Sequence, residues 1–178
     1  MPHKILICGG NGAGKSTLGR ALAQATGWPF RDVEDYYFPA ADGDYKYQTS
    51  RTSAEVAHLL KQDLELYPDM LFASVRGNYG ADAPRMFTAA VWVQTPKEER
   101  MARVQQRSFA KFGQRMLPGG DLHDQEQRFF ALVQSRTEDD LPLWLNQLAI
   151  PVLRVDGRRP VSENVENILM FLNEKSRA

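Results

Sequence analysis

Nine residues near the N-terminus, Gly9-Gly10-Asn11-Gly12-Ala13-Gly14-Lys15-Ser16-Thr17, match the spacing G-x-x-x-x-G-K-[S/T]. Glycines let such a loop bend until successive backbone N–H groups converge on phosphate oxygens, and the positive end of the following helix adds to the attraction. Lys15 is then placed to reach the β- and γ-phosphates of ATP. The Ser16 hydroxyl is placed to ligate the Mg²⁺ that neutralises them. The motif has the context it requires, the apolar run Ile5-Leu6-Ile7-Cys8 before it and an amphipathic segment after it. A bare Gly-rich turn between strand and helix needs neither Lys nor Ser.

Three further groups of residues suit the same chemistry. The first is Asp32, Glu34 and Asp35, in Phe30-Arg31-Asp32-Val33-Glu34-Asp35-Tyr36-Tyr37-Phe38. A carboxylate within hydrogen-bond reach orients an acceptor hydroxyl and takes its proton late, because phosphoryl transfer depends mainly on alignment and charge stabilisation. The same acids also suit a loop that merely starts a turn, and Tyr36, Tyr37 and Phe38 either stack on a base or pack. The second group is Arg100, Arg103 and Arg107, which recur at i, i+3 and i+7 and share one helical face that Lys111 extends. Such a stripe gathers a triphosphate or forms a solvated basic face; Arg100 is assigned to the solvated reading. The third is Arg76 and Asn78, with Arg85 beyond, after a strand whose C-terminus points at a ligand crevice. They hold an anionic or hydroxylated acceptor, or Arg76 joins a salt bridge beside a tight Gly77/Gly80 turn.

The elements that must position these residues follow from periodicity. Strands are predicted at Lys4 to Cys8, Phe30 to Val33, Met70 to Val75, Ala89 to Gln94 and Pro151 to Val155. Helical patterns separate them: 15 to 25, stopped by Gly27; a capping box at Thr52 and Glu55 running to about Tyr67; and a helix from Thr95-Pro96-Lys97-Glu98, with Thr as cap and Pro at the first helical position. Further helices are predicted over 124 to about 140, 142 to 148 and 162 to 174. The alternation predicts a doubly wound α/β fold, a five-stranded parallel sheet covered on both faces. Residues 108 to 123, with Gly113, Pro118, Gly119 and Gly120, read as an unstructured loop of the length of a lid. Within it Arg115 is placed to swing over the γ-phosphate on closure; Arg136 and Arg128 rank below it.

Length and composition bound the rest. The 178 residues are expected to form one domain. Lys plus Arg (22) balance Asp plus Glu (22), so net charge gives no reason to expect a nucleic acid or an anionic membrane as partner. The single cysteine, Cys8, excludes an internal disulfide framework, and no stretch approaches 18 consecutive apolar residues. A cytoplasmic, untargeted protein is expected. His3, His58 and His123 lack metal-ligand spacing.

On these residues the chain resembles the nucleoside-monophosphate-kinase-like branch of P-loop kinases, which includes adenylate, shikimate, gluconate and uridine kinases, over almost its whole length. Pro96 to Arg107 is similar to that family's helix leading into the lid, and the resemblance implies that Arg103 and Arg107 contact adenine and phosphates. Val155-Asp156-Gly157-Arg158 resembles the loop whose backbone lies against adenine, so Gly157 and Arg158 are implied at the base. Two alignments of the acidic segment stay open. Asp32 and Glu34 resemble the Asp-x-Asp of shikimate and gluconate kinases, where one carboxylate helps hold Mg²⁺; Glu34-Asp35-Tyr36-Tyr37 resembles the Asp-Asp-Phe-Tyr of uridine-kinase-like enzymes, with Asp35 as base. Adenylate kinases carry Asp where this chain has Arg76.

The combined expectation is an ATP- and Mg²⁺-dependent kinase acting on a small hydroxyl acceptor, a nucleoside or a sugar-acid-like compound. The alternatives are an adenylate-type kinase and a nucleotide-binding switch acting on a protein partner, which the sequence does not identify. An AAA-type motor calls for a hydrophobic Walker B strand ending in Asp-Glu, and none is evident.

Overall fold

The structure is a computed structural model and describes residues 2–38 and 50–177. Five parallel strands, β1 (Lys4–Cys8), β2 (Phe30–Asp32), β3 (Met70–Ala73), β4 (Ala89–Gln94) and β5 (Val152–Asp156), form one sheet in the order β2-β3-β1-β4-β5. β1 lies at the centre, pairing Ile5 with Leu71 of β3 on one side and with Ala89 of β4 on the other. Its run Ile5-Leu6-Ile7-Cys8 is fully buried because both sheet faces are covered, the reason a parallel strand reads as continuously apolar.

One face is covered by α1 (Lys15–Thr26) and α8 (Val161–Arg177), whose Leu18, Leu22, Ile168 and Leu172 pack on Ile5, Ile7 and Val91. The other is covered by α3 (Ser53–Leu66), α4 (Ala83–Met86) and α7 (Leu141–Gln147), which bury Leu60, Leu64, Ala83, Leu141 and Leu145 against Leu6, Phe72 and Ala90. The Thr52–Glu55 capping box forms as expected: Glu55 N–H donates to Thr52 Oγ1, and Thr52 N–H donates to the Glu55 carboxylate at 2.7 Å. Gly27 ends α1 at φ 74°, a left-handed conformation that favours glycine.

Several boundaries differ from the sequence expectation. β2 stops at Asp32, because Asp32 Oδ1 accepts from Glu34 N–H at 3.0 Å and turns the chain into a short helix, α2 (Val33–Tyr37). The acidic segment is therefore a capped helix start rather than a loop. β3 ends at Ala73, short of Val75, and β5 is displaced by one residue. α5 (Lys97–Phe112) lacks the expected Thr cap: Pro96 takes that position, and Thr95 Oγ1 donates to Ala13 O instead.

The unstructured loop expected over 108–123 is largely ordered backbone. α5 runs on to Phe112, a 3-10 turn covers Gly113–Met116, and α6 (His123–Ser135) begins where the loop was expected to end. A small apolar cluster of Val104, Met116, Phe130 and Val133 holds these pieces together. α6 stops at Ser135, so residues 136–140 form a linker instead of the last turn of a longer helix. Among the described residues no helix is long and apolar enough to cross a membrane.

Candidate functional site

The C-terminal ends of the five strands open on one side of the sheet, where parallel α/β folds hold ligands. A cleft of about 1220 Å³ lies there. It is lined by Asn11 to Leu18, by Asp32 to Asp35, by Ser74 to Arg76 with Asn78, by Arg103, Arg107 and Lys111, and by 157–161. All the phosphate-loop candidates from Asn11 onward thus share a cavity with the acidic segment and with Gly157 and Arg158, while Gly9 and Gly10 are not part of its lining.

The phosphate loop is built by close packing. Gly9, Gly12 and Gly14 have φ of 140°, 81° and 104°. Only glycine takes these without strain. Gly12 packs on the backbone of Arg100, and Gly157 on Thr95 and Ala13, so a side chain at either residue would overlap main chain. Lys15 Nζ donates to Gly10 O at 2.8 Å. Burial lowers the Lys15 pKa to about 8, an effect opposed by Asp32, Glu138 and Glu34. An arriving polyphosphate would favour the charged ammonium.

Ser16 Oγ donates to Asp32 Oδ2, so the two Mg²⁺ candidates meet at the start of α1. Among the described residues no three His, Cys, Asp or Glu side chains group as a metal site. Mg²⁺ that arrives with a nucleotide needs fewer protein ligands, since phosphates and water complete its shell. One hydroxyl and one carboxylate fit that requirement.

The arginine stripe faces the loop. Arg103 Nη1 donates to Gly157 O at 3.2 Å, linking the two adenine-side candidates, and Arg107 lies 3.9 Å from Glu34. Arg100 is not on a solvated face, contrary to expectation: it is 8% exposed, donates from Nε to Thr95 O at 3.0 Å and pairs with Glu138 at 3.0 Å. Glu138 also accepts from Gly10 N–H. Its position in the polar stretch Arg136-Thr137-Glu138-Asp139-Asp140 gave no periodic signal, and only the folded chain brings it to the loop.

Arg115 and Arg136 lie in different surroundings. Arg115 pairs with Asp121 at 2.7 Å and is absent from the cleft lining. Arg136 lines the cleft and donates to Asn11 Oδ1 at 2.9 Å. Arg76 reaches Asp140 at 3.4 Å, the salt-bridge alternative, while still lining the cleft beside Asn78. Arg158 pairs with Asp156 at 2.8 Å and holds that carboxyl down at about 2. Tyr79, unremarked in the sequence, also lines the cleft.

Comparison with known proteins agrees with this architecture. The chain is 26% identical to the uncharacterized protein YqaC of Bacillus subtilis (strain 168) over 181 aligned residues, covering 97% of this chain and 99% of the relative. The fold matches a gluconokinase from Sinorhizobium meliloti 1021 with a TM-score of 0.61 at 18% identity, covering 99% of this chain and 94% of that one. It matches a shikimate kinase from Acinetobacter baumannii, solved with shikimate, with a TM-score of 0.62 at 16% identity, covering 98% and 94%. The fold is thus that of small P-loop kinases. A profile described as an AAA domain matches residues 5–112, from β1 through the arginine-bearing helix, and the chain belongs to that AAA domain family of P-loop proteins.

Proposed function

We propose that the protein transfers the γ-phosphoryl group of Mg·ATP to the hydroxyl of a small molecule. The observation that carries this reading is the continuity of the cleft. It runs from Gly157 and Arg103 past the phosphate loop to Asp32, Glu34 and Asp35. Its volume of about 1220 Å³ exceeds the roughly 300–1,000 Å³ typical of single-ligand pockets. A donor and an acceptor fit together, as a transferase requires. A switch that only turns over ATP has no use for the acceptor half.

In this scheme the backbone N–H groups of residues 12–16 and Lys15 hold the β- and γ-phosphates, and Arg103 and Arg107 leave their present partners for adenine and phosphate. Ser16 and Asp32 would hold Mg²⁺, which supplies charge neutralisation on the phosphates. The acceptor oxygen forms a bond to the γ-phosphorus as the bond to the β–γ bridging oxygen breaks, and ADP leaves with that electron pair. The acceptor proton passes to a carboxylate of the acidic segment, Asp32 or Asp35, with Glu34 beside them. Asn78 and Arg76 flank the acceptor. Residues 108–123, with Arg115, act as a lid that excludes water, the competing acceptor.

The gluconokinase and shikimate kinase that share the fold are named for hydroxyl-bearing acceptors, which supports the same reaction class here. The test is ATP consumption by the full chain across nucleosides, nucleotides, sugar acids and shikimate-like hydroxy acids. Acceptor-dependent ADP formation is expected. Steady ATP hydrolysis that no acceptor stimulates would overturn the proposal.

A further inference from the structure

The acceptor end of the cleft is more apolar than a polyol needs. Tyr37, the last residue of α2, and Tyr79, after β3, both line it. Their rings are fixed from below: Tyr79 stands edge-on to the buried Phe72 at 5.8 Å and 87°, and Tyr37 edge-on to Tyr79 at 6.3 Å and 65°. From α6, Phe129 and Leu132 line the same cleft, three residues apart and so on one helical face. Leu132 is 50% exposed, a large apolar side chain left open beside a cavity.

Charge points the same way. Two arginines of the cleft, Arg76 and Arg136, already meet protein oxygens: Arg76 meets Asp140 at 3.4 Å and Arg136 meets Asn11 Oδ1 at 2.9 Å. Asp32, Glu34 and Asp35 line the adjoining wall. An anionic acceptor would have to displace those partners and approach three carboxylates, whereas a neutral one would do neither. The exposed amides of Asn78 and Gln125 line the cleft too. Each offers a donor and an acceptor together, the pattern that complements the edge of a nucleobase.

From this juxtaposition of aromatic rings packed edge-on, apolar side chains of α6, side-chain amides and carboxylates, we infer that the phosphate acceptor is a nucleoside. Its base lies against Tyr37 and Tyr79, facing Asn78 and Gln125 for its edge. The sugar hydroxyl lies at the acidic segment, loses its proton to a carboxylate there and gains the γ-phosphoryl group of ATP, releasing ADP. The inference rests on the phosphotransferase reading above and narrows its acceptor to one class. Stacking on an aromatic side chain makes the difference between a nucleoside and a sugar acid, and its loss costs about tenfold or more in affinity.

The experiment measures ADP formation by the full chain with uridine, cytidine, adenosine, guanosine, their monophosphates, gluconate and shikimate, and repeats it with Tyr37→Ala and Tyr37→Phe. At least one nucleoside is expected to be used with kcat/KM about tenfold or more above the monophosphates, gluconate and shikimate. Tyr37→Ala is expected to raise the nucleoside KM about tenfold and leave the KM for ATP unchanged, with Tyr37→Phe restoring it. Preferred turnover of gluconate, shikimate or a monophosphate overturns the inference and leaves the phosphotransferase reading standing. So does a nucleoside KM that Tyr37→Ala leaves unmoved. Calorimetric binding of Mg·ATP with no transfer to any of these compounds overturns the inference, and an acceptor-independent ATPase rate in the same assay overturns the kinase reading with it.

Discussion

Gly10 lies against the guanidinium of Arg100, so close that a Cβ at residue 10 would overlap Nη1. The guanidinium is not free to yield, because Thr95 O and Glu138 hold it, and Glu138 returns to accept the N–H of Gly10 itself. Phosphate loop, α5 and the 136–140 linker are therefore one network. Gly10→Ala is expected to cost about 1–3 kcal/mol, the range for overpacking a tight interior site. Arg100→Ala should cost about 3 kcal/mol, since it removes a buried guanidinium and takes the cation away from the partly buried Glu138. Urea denaturation checks both, and the double mutant should fall short of the sum because the two changes break one network. Wild-type stability for Gly10→Ala would show that Arg100 gives way.

Lys15→Ala should abolish transfer and weaken Mg·ATP binding sharply while the fold persists. A charge-assisted hydrogen bond to phosphate is lost, and Lys15 contributes nothing to the apolar cores. Titration calorimetry on the folded variant is the measurement. Unchanged affinity for Mg·ATP would remove the basis for reading residues 9–17 as a nucleotide site.

The phosphate loop and the sheet were legible in the sequence because each rests on local rules. Glycines, a lysine and a hydroxyl at fixed spacing make one kind of turn, and continuous apolar runs make strands buried on both faces. The Arg103–Arg107 stripe was legible from periodicity as one shared face, while its direction toward the cleft, which both residues line, was implied only by the family resemblance. Arg100 was misassigned because periodicity gives the face of a residue and not its depth: one turn earlier on the same stripe lies the loop backbone, and there the cation is buried. Glu138 and Arg136 depend on how a polar linker folds back over residues 10 and 11, a contact 125 or more residues apart in sequence. No local pattern encodes such a contact. The pairing of Arg115 with Asp121 had no sequence signal for the converse reason, since a Gly-rich stretch looks open and hides which of its own charges meet.

Cys8 reports on this region without a mutation. It ends β1 directly before the loop, is fully buried, and burial pushes its thiol up to about 12. Native protein at pH 8 should therefore resist thiol reagents, labelling only through opening. Mg·ATP should slow labelling in proportion to 1 + [L]/Kd, because ligand binding to the folded state suppresses opening. The sign with pH also follows. The folded thiol keeps its proton above the unfolded value near 9, so this group's contribution to stability is intact below pH 9 and declines as pH rises toward 12. Rapid labelling of the native protein at pH 8 would contradict the burial.

ATP should add protection over residues 108–123. The segment is tied to the fold by the small cluster around Val104, Met116 and Phe130, and its Arg115 sits on the exposed Asp121, a partner that phosphate can replace. Hydrogen exchange with and without a non-hydrolysable ATP analogue measures this. Added protection is expected over the turn at 113–116 and the start of α6. Identical exchange in the two states would remove the lid role.

The two alignments of the acidic segment make different predictions, and the geometry sharpens them. Asp32 accepts from Ser16 Oγ and caps α2, so Asp32→Asn keeps the shape of the turn while removing the charge beside the Mg²⁺ candidate. It should lower kcat by roughly a hundredfold or more with a smaller loss in ATP affinity, the pattern of an interaction made in the transition state. Asp35 is exposed and lines the cleft, and α2 takes its side-chain cap from Asp32, so Asp35→Asn tests a role at the acceptor. If Asp35 takes the proton, its loss should match that of Asp32→Asn in kcat and leave Mg·ATP binding unchanged. Glu34→Gln decides between them. A severe loss favours the pairing of Asp32 with Glu34, whereas a mild one, little more than the release of Arg107 from its 3.9 Å contact, favours Asp35. Steady-state kinetics with the acceptor found in the screen give all three values, and Asp32→Asn and Asp35→Asn both near wild type would remove the acidic segment from the reaction.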